Sequence, residues 1–398
     1  MPEPVPPGRL AGQRVLVVTQ HPYPDHRVVR RNIEQLAAEG AEVDVVCLHS
    51  ALKSGCPGVR TYAVRLQHRR RPALRYVFEY IAFFLWAVAT ASWLCLRRRY
   101  DAVQVDNLPD FLVFAAWAGR LRGARVVLFM LELMPELVAT RLGVTAGHPL
   151  VGLARALERS ATAWADQVIT VSGACRRRLE ARGVDPRKLW VVPGCVPLPA
   201  APDAGPSGGQ PYAVVLATLI PRYGVDVAIR ALALMHGRQP RFRLLVVGDG
   251  DARPALMELA RSLNVADRVD FLGVRPWEEA MRILRGASVG LVPVIADGYG
   301  ELLLPTKILE YASLGVPVVS ARLPTLLEHF PPGSVAYHEP GDSAGLAAQV
   351  DRLLSDPGLA RAQSRRARRI ARELSWERVR DVYVSALRPA ALEAGLAV

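Results

Sequence analysis

Short runs of aliphatic and β-branched residues, each followed by one helix-length segment, recur along this chain and limit its fold more than any other feature. Arg14–Thr19 (RVLVVT) is almost wholly apolar, the pattern of a strand buried on both faces. A loop over Gln20–Asp25 follows, then a helix through Val28–Glu39 that stops at Gly40, then a strand at Glu42–Leu48. Strand, loop, helix, strand at this spacing is a βαβ unit, and such units build parallel sheets. The alternation resumes with strands at Ala102–Val105, Ala124–Met130, Gln167–Val171 and Leu189–Val192, and with helices at Phe111–Leu121, Leu150–Ala165 and Gly173–Arg182. Residues 197–211 (PLPAAPDAGPSGGQP) are dense in Pro, Gly and Ala without periodicity, as a linker is.

Beyond that linker the plan repeats. Strands are expected at Tyr212–Leu216, Phe242–Val247, Val269–Leu272, Val289–Val292 and Val316–Ser320, and only helices over Ser343–Leu387. The expected class is α/β, with two doubly wound Rossmann-like domains, residues 1–196 and 212–372, facing a central cleft. Doubly wound sheets bind ligands at the carboxyl ends of their strands, so the loops there are where chemistry is sought.

Hydrophobic residues make up 51% of the 398, ample for two cores. The net charge of +13 comes from clustered Arg: Arg69–Arg71, Arg97–Arg99, Arg176–Arg178 and Arg365–Arg369. Such a surface attracts anionic lipid or phosphorylated substrates. No zinc-finger or RNA-recognition motif accompanies it, so nucleic acid is not an expected partner. Five Cys without a CxxC pair argue against a disulfide framework or structural zinc and for a reducing, cytoplasmic setting. The first residues, MPEPVPPGRLAGQR, lack the apolar core of a secretory signal.

Tyr80–Leu96 is 17 residues without a charge, with Arg97–Arg99 directly after it. A buried core helix, a helix lying in a membrane interface and a short transmembrane span all fit that pattern. The interfacial reading would place the protein peripherally at the inner face of the plasma membrane, with the Arg clusters towards the lipid.

The densest candidate site is Asp297–Ser320 (DGYGELLLPTKILEYASLGVPVVS). A Gly-containing turn leads into a helix that opens near Pro305 and stops at Gly315. Lys307 falls in the first helical turn, where free N–H groups already favour an anion, and Glu310 shares its face. Arg222 lies in the loop after the first strand of the same half, so both cations fall at one sheet edge. Two cations beside a helix N-terminus suit a diphosphate, and Glu310 suits vicinal hydroxyls such as a ribose. Gly248-Asp249-Gly250 lets backbone approach a ligand but is not a dinucleotide fingerprint, and no Walker sequence is present. In the first half, Asp25 and Arg27 follow the first strand, and Glu132 and Glu136 follow the strand ending at Met130. These four are the acceptor-side candidates. No pair of carboxylates stands where it would hold Mg²⁺, so no metal is expected.

Arg222-Tyr223-Gly224-Val225-Asp226, Gly248-Asp249-Gly250, Arg268–Gly273, Leu304-Pro305-Thr306-Lys307 with Ile308-Leu309-Glu310-Tyr311, and Gly315–Val319 together resemble the retaining glycosyltransferases of family 4, which have the GT-B fold. Asp25–Val28, Ala165–Ser172 and Trp376 extend the resemblance more weakly along the chain. It implies transfer of a sugar from a UDP- or GDP-linked donor to a lipid-linked, polysaccharide or small-molecule acceptor. Retention at the anomeric carbon, with neither metal nor separate cofactor, is implied as well. Arg222 and Lys307 would act on the diphosphate and Glu310 on the ribose, with Gly224, Gly248, Glu301 and Thr306 in the donor-binding set. A C-terminal helix, residues 373–398, would cross back to the first domain.

Two departures stand out. Leu302 occupies the place of the first of two Glu that the family spaces seven residues apart, so backbone N–H groups of Gly300, Glu301, Leu302 and Leu303 are the expected sugar contacts. Leu131 stands where relatives carry a His. These losses keep a non-catalytic sugar-nucleotide-binding scaffold in view, and a nucleotide-sugar epimerase on the same fold is a third, weaker reading.

Overall fold

The computed structural model describes residues 8–50, 55–66, 73–195, 210–302 and 304–388, with side chains of 73–77 left aside. Most of the expected linker, and Leu303, therefore lie outside the described residues. The chain divides into two compact units, Met1–Pro193 with Val379–Val398, and Gly194–Arg378.

Unit 1 is built on a fully parallel sheet. Its strands are β1 (Arg14–Pro22), β2 (Glu42–Leu48), β3 (Val59–Val64), β4 (Ala102–Asp106), β5 (Arg125–Met130), β6 (Gln167–Thr170) and β7 (Leu189–Val191). They lie in the order β3-β2-β1-β4-β5-β6-β7. Val15–Val18, Val43–Leu48 and Val126–Met130 are buried without a break, which is why these segments read as continuous apolar runs. β3 was not expected from sequence. It is an edge strand paired only with β2, and its side chains are half-exposed, so no apolar run marks it. The helices are α1 (Arg27–Ala38), α2 (Ala73–Arg97), α3 (Trp117–Leu121), α4 (Met134–Leu142), α5 (Pro149–Trp164) and α6 (Gly173–Ala181). The helix expected over Phe111–Leu121 is mostly a 3-10 segment, Asp110–Ala116, with only α3 as α-helix.

Unit 2 has the strands β8 (Tyr212–Leu216), β9 (Arg243–Val247), β10 (Val269–Gly273), β11 (Val289–Val292), β12 (Val318–Ala321) and β13 (Ala336–His338), all parallel, in the order β10-β9-β8-β11-β12-β13. Its helices are α7 (Val225–Leu234), α8 (Arg253–Ser262), α9 (Trp277–Arg285), α10 (Thr306–Ser313), α11 (Pro324–His329), α12 (Ser343–Ser355) and α13 (Pro357–Glu373). The last helix, α14 (Trp376–Leu387), starts in unit 2 and ends in unit 1. There Tyr383 is fully buried and donates a hydrogen bond from its hydroxyl to Gln104 Oε1 at 2.7 Å.

In both sheets the first strand has neighbours whose connections run in opposite directions. Such a switch point opens a crevice beyond the carboxyl ends of the two central strands. In unit 2 these are β8 and β11, so the Arg222 loop and the Asp297 loop are brought together there.

Candidate active site

In unit 2 the two loops at the switch point are sewn together. Ile295 N–H donates to the Arg222 carbonyl at 2.9 Å. Gly224, in the left-handed region at φ 61°, lets the loop turn there. A Cβ on it would stand 1.9 Å from the Pro293 carbonyl oxygen. Arg222 is thereby laid across the second loop. Its Nε donates to Asp297 Oδ2 at 2.8 Å, and its guanidinium lies 4.4 Å from the centre of the Tyr299 ring. A guanidinium has five N–H donors, so the bond from Nε leaves the terminal nitrogens able to meet an anion.

Asp297 does a second task that sequence reasoning missed. Its Oδ1 accepts from the N–H groups of Gly300 at 2.6 Å and Tyr299 at 3.1 Å, closing the turn before the 3-10 segment Gly300–Leu302. Burial works to raise the Asp297 carboxyl, but the hydrogen bonds from Arg222 and Gly300 prevail and hold its pKa below the ordinary value. The expectation that backbone N–H groups of Gly300–Leu303 await a sugar is corrected in part. The Gly300 N–H is held by Asp297, and the Leu302 N–H donates to the Tyr299 carbonyl at 3.0 Å. Leu302 is buried, and Thr325 holds the Glu301 carbonyl through its hydroxyl. The N–H groups of Gly300 and Leu302 and the carbonyl of Glu301 are thus committed to the protein's own groups.

α10 sits where it does because of Tyr311. That hydroxyl accepts from Leu216 N–H at 2.9 Å and donates to the Val214 carbonyl at 3.2 Å, fastening the helix to β8. The ring lies flat on β11 over Gly290, where a Cβ would be 2.5 Å from it. Pro305 precedes the helix, and Thr306 and Lys307 form its first turn at the carboxyl edge of the sheet. Lys307 Nζ stands 3.3 Å from Glu310 Oε1, and Glu310 is almost wholly buried. The carboxylate offsets the unfavourable placement of a cation at a helix N-terminus. Gly248 and Gly250 are used differently from the expectation. The space a Cβ would need at these positions is filled by the carbonyls of Ala217 and Leu219, so the close approach is to the chain's own backbone.

In unit 1 the four acceptor-side candidates are scattered in role. Asp25 accepts from Ser50 Oγ at 2.7 Å, and Arg27 is the first residue of α1. Glu136 is corrected as a hydroxyl-binding candidate. It lies in α4, mostly buried, and is ion-paired with Arg182, which also bonds Glu158 at 2.8 Å. Glu132 lies in a loop held by Asn107, which sequence reasoning left in a turn. Asn107 Nδ2 donates to the Glu132 carbonyl at 2.6 Å and to Asp110 Oδ1 at 2.9 Å, while its Oδ1 accepts from Leu131 N–H at 2.8 Å. Burial pushes the Asp110 carboxyl up to about 7 and the Asp106 carboxyl up to about 6, each opposed by a side-chain hydrogen bond. Among the described residues no three His, Cys, Asp or Glu side chains cluster as a metal site.

Two family models match this chain. Residues 26–195 match the model described as glycosyl transferase 4-like domain, and residues 210–356 match glycosyl transferases group 1. The chain belongs to this family of glycosyltransferases. It is 28% identical over 237 residues to D-inositol 3-phosphate glycosyltransferase of Nocardia farcinica, a match covering 55% of this chain and 51% of the relative. The chain spans about half or somewhat less of the length of the first curated relatives that it matches, 51%, 36% and 40%. Sucrose-phosphate synthase from Thermosynechococcus elongatus has a similar structure, with a TM-score of 0.73 at 20% identity over 96% of this chain and 99% of that one. HepE of Anabaena, solved in complex with UDP-glucose, gives 0.70 at 19% identity over 96% and 100%. The two Rossmann-like units are those of the GT-B fold.

Proposed function

We propose that this protein transfers a sugar from a UDP- or GDP-linked donor to a lipid-linked, polysaccharide or small-molecule acceptor in the cytoplasm. The transfer retains anomeric configuration and uses neither a metal ion nor a separate cofactor. The observation that carries the reading is the placing of Arg222 and Lys307 at the carboxyl edge of one sheet, each steadied by its own carboxylate. As the bond from sugar to diphosphate breaks, negative charge grows on the leaving phosphate. Donors that are already oriented stabilise that charge without reorganising. Asp297 and Tyr299 orient Arg222, and Glu310 steadies Lys307 while offering a carboxylate to the ribose. A solved relative in fold, HepE, carries UDP-glucose, which supports a nucleotide-sugar donor.

The test is calorimetric titration of UDP and GDP into the full chain and into Arg222→Ala and Lys307→Ala. Charge-assisted hydrogen bonds contribute roughly 1.5–3 kcal/mol each, so affinity should fall at least tenfold. A loss below about threefold for both variants overturns the assignment. Incubation with UDP- and GDP-sugars in the presence of chelator then reads out the chemistry. Sugar released or transferred with retained configuration supports the reading. Nucleotide bound without turnover would mark a scaffold, the reading that the buried apolar Leu302 favours, and an altered sugar still on its nucleotide would mark an epimerase.

A further inference from the structure

The 25-residue helix α2 is apolar on its outward face as well as its inward one, unlike an ordinary surface helix. One stripe (Phe83, Ala87, Ala91, Leu94) packs into unit 1. The opposite stripe, at positions 78, 81, 85, 89, 93 and 96, faces outwards and reads Phe, Ile, Leu, Ala, Trp, Leu. These spacings of three and four keep one helix face, and the stripe runs roughly 27 Å. A helix in contact with water normally places charge there. Instead Phe78 is 68% exposed, Leu85 62% and Leu96 70%. Next to it α3, close enough that a Cβ on Gly119 would touch Cys95 of α2, exposes Trp117 and Leu121.

Cations frame the end of this surface. Arg97 lies over the Trp93 ring at 4.4 Å, Arg99 is exposed beside it, and Arg122 stands exposed just past α3, while Arg120, exposed on α3, is held by the Trp164 carbonyl and ring and by Asp166. We infer that the outward face of α2 with α3 is a docking surface for an anionic lipid bilayer, on which the protein lies without spanning it. Spanning would require lipid around the whole helix, whereas Phe83, Ala87, Ala91 and Leu94 are already covered by protein. An interfacial helix buries its apolar face in the headgroup–acyl boundary, keeps tryptophan at that level and lets arginine reach the phosphates. A second copy of the chain is a poorer fit, because symmetric pairing would bring two sets of Arg97, Arg99, Arg120 and Arg122 together. This surface belongs to unit 1 and does not depend on the donor-site reading.

The experiment is flotation of the full chain with vesicles of phosphatidylcholine alone and of phosphatidylcholine mixed with phosphatidylglycerol. The wild type should float with the anionic vesicles, and less so as salt is raised. Phe78→Glu with Leu85→Glu should cut the floating fraction at least tenfold, and Arg97→Glu with Arg99→Glu should remove the preference for anionic lipid. Circular dichroism and a cooperative thermal transition like that of the wild type check that these variants fold. Quenching of wild-type tryptophan fluorescence by brominated anionic lipid, reduced in Trp93→Phe with Trp117→Phe, serves if the glutamate variants do not. Absence of flotation and quenching overturns the proposal. Flotation unchanged by the glutamates also overturns it, as does a solution dimer that Leu85→Glu dissolves. So does flotation that appears only after residues 389–398 are removed, which would make the tail the occupant.

Discussion

Arg222 and Asp297 are 75 residues apart in the chain and 2.8 Å apart in the structure, and most of the site's order passes through that bond. Asp297 holds both the guanidinium and the turn, so Asp297→Ala should cost donor affinity without touching the donor. A fall in nucleoside diphosphate affinity of about fivefold or more, by calorimetry, is expected. Asp297→Asn, which can still accept from Gly300, should lose less. Equal losses in both variants would mean that charge alone, and not orientation, is what Asp297 supplies. Asp110 gives a pH prediction of known sign. Its folded pKa of about 7 lies above the usual carboxylate value, so its contribution is fully present below about pH 4 and is lost as pH rises through 7. His26 works the other way. Burial lowers it to about 4, and its contribution is present above its usual pKa and lost as pH falls through 4. Comparing wild type with Asp110→Asn isolates the first effect. The fall in Tm between pH 5 and pH 8 should be smaller in the variant, measured by differential scanning calorimetry.

Among the elements, α10 is the one whose seat the donor site depends on. Gly290→Ala would drive a methyl group into the Tyr311 ring and lift the helix from β11. Overpacking of this kind costs about 1–3 kcal/mol, or roughly 2–4 °C in Tm per kcal/mol for a unit this size. Stabilisation by UDP or GDP should fall with it, since Thr306 and Lys307 move with the helix. Tm lowered with nucleotide stabilisation intact would show that the N-terminal turn keeps its place on its own. α2 shows the opposite relation between element and sequence. Its apolar composition was plain, but a core helix, an interfacial helix and a span share that composition. Phe78–Arg97 is long and apolar enough to cross a membrane, yet a third of it is buried inside the protein. Which faces are covered is a fact of the tertiary structure that the composition does not carry.

For the whole molecule, the crossing of α14 from one unit to the other predicts where stability is shared. Tyr383, Val384, Ala386 and Leu387 are fully buried, and Tyr383 reaches Gln104 of β4. Removing residues 379–398 should therefore expose the sheet of unit 1 while leaving that of unit 2 protected. Hydrogen exchange in β4 and β5 should rise by at least tenfold, with β8 and β11 unchanged. Loss of protection spread evenly over both units would contradict this. The family resemblance implied a returning C-terminal helix, but no local pattern in 376–387 distinguishes it from α12 or α13.

The sequence by itself determined the strands that are buried on both faces, most of the helices between them, the division into two parallel-sheet halves, and the placing of Arg222 in the loop after the first strand of the second half and of Lys307 and Glu310 on the helix that opens near Pro305. These follow from local periodicity and turn chemistry, which each segment carries within itself. It did not reveal β3, whose edge position removes the apolar run, or α4, α11 and β13, which are short. Only the tertiary structure decided what each polar group faces. Glu136 meets Arg182, the Gly300 N–H meets Asp297, and the backbone of Ala217 and Leu219 fills the space beside Gly248 and Gly250. Such partners come from distant segments brought together at the switch points of the sheets, and a hydrogen bond depends on ångström-scale placement that no periodicity encodes.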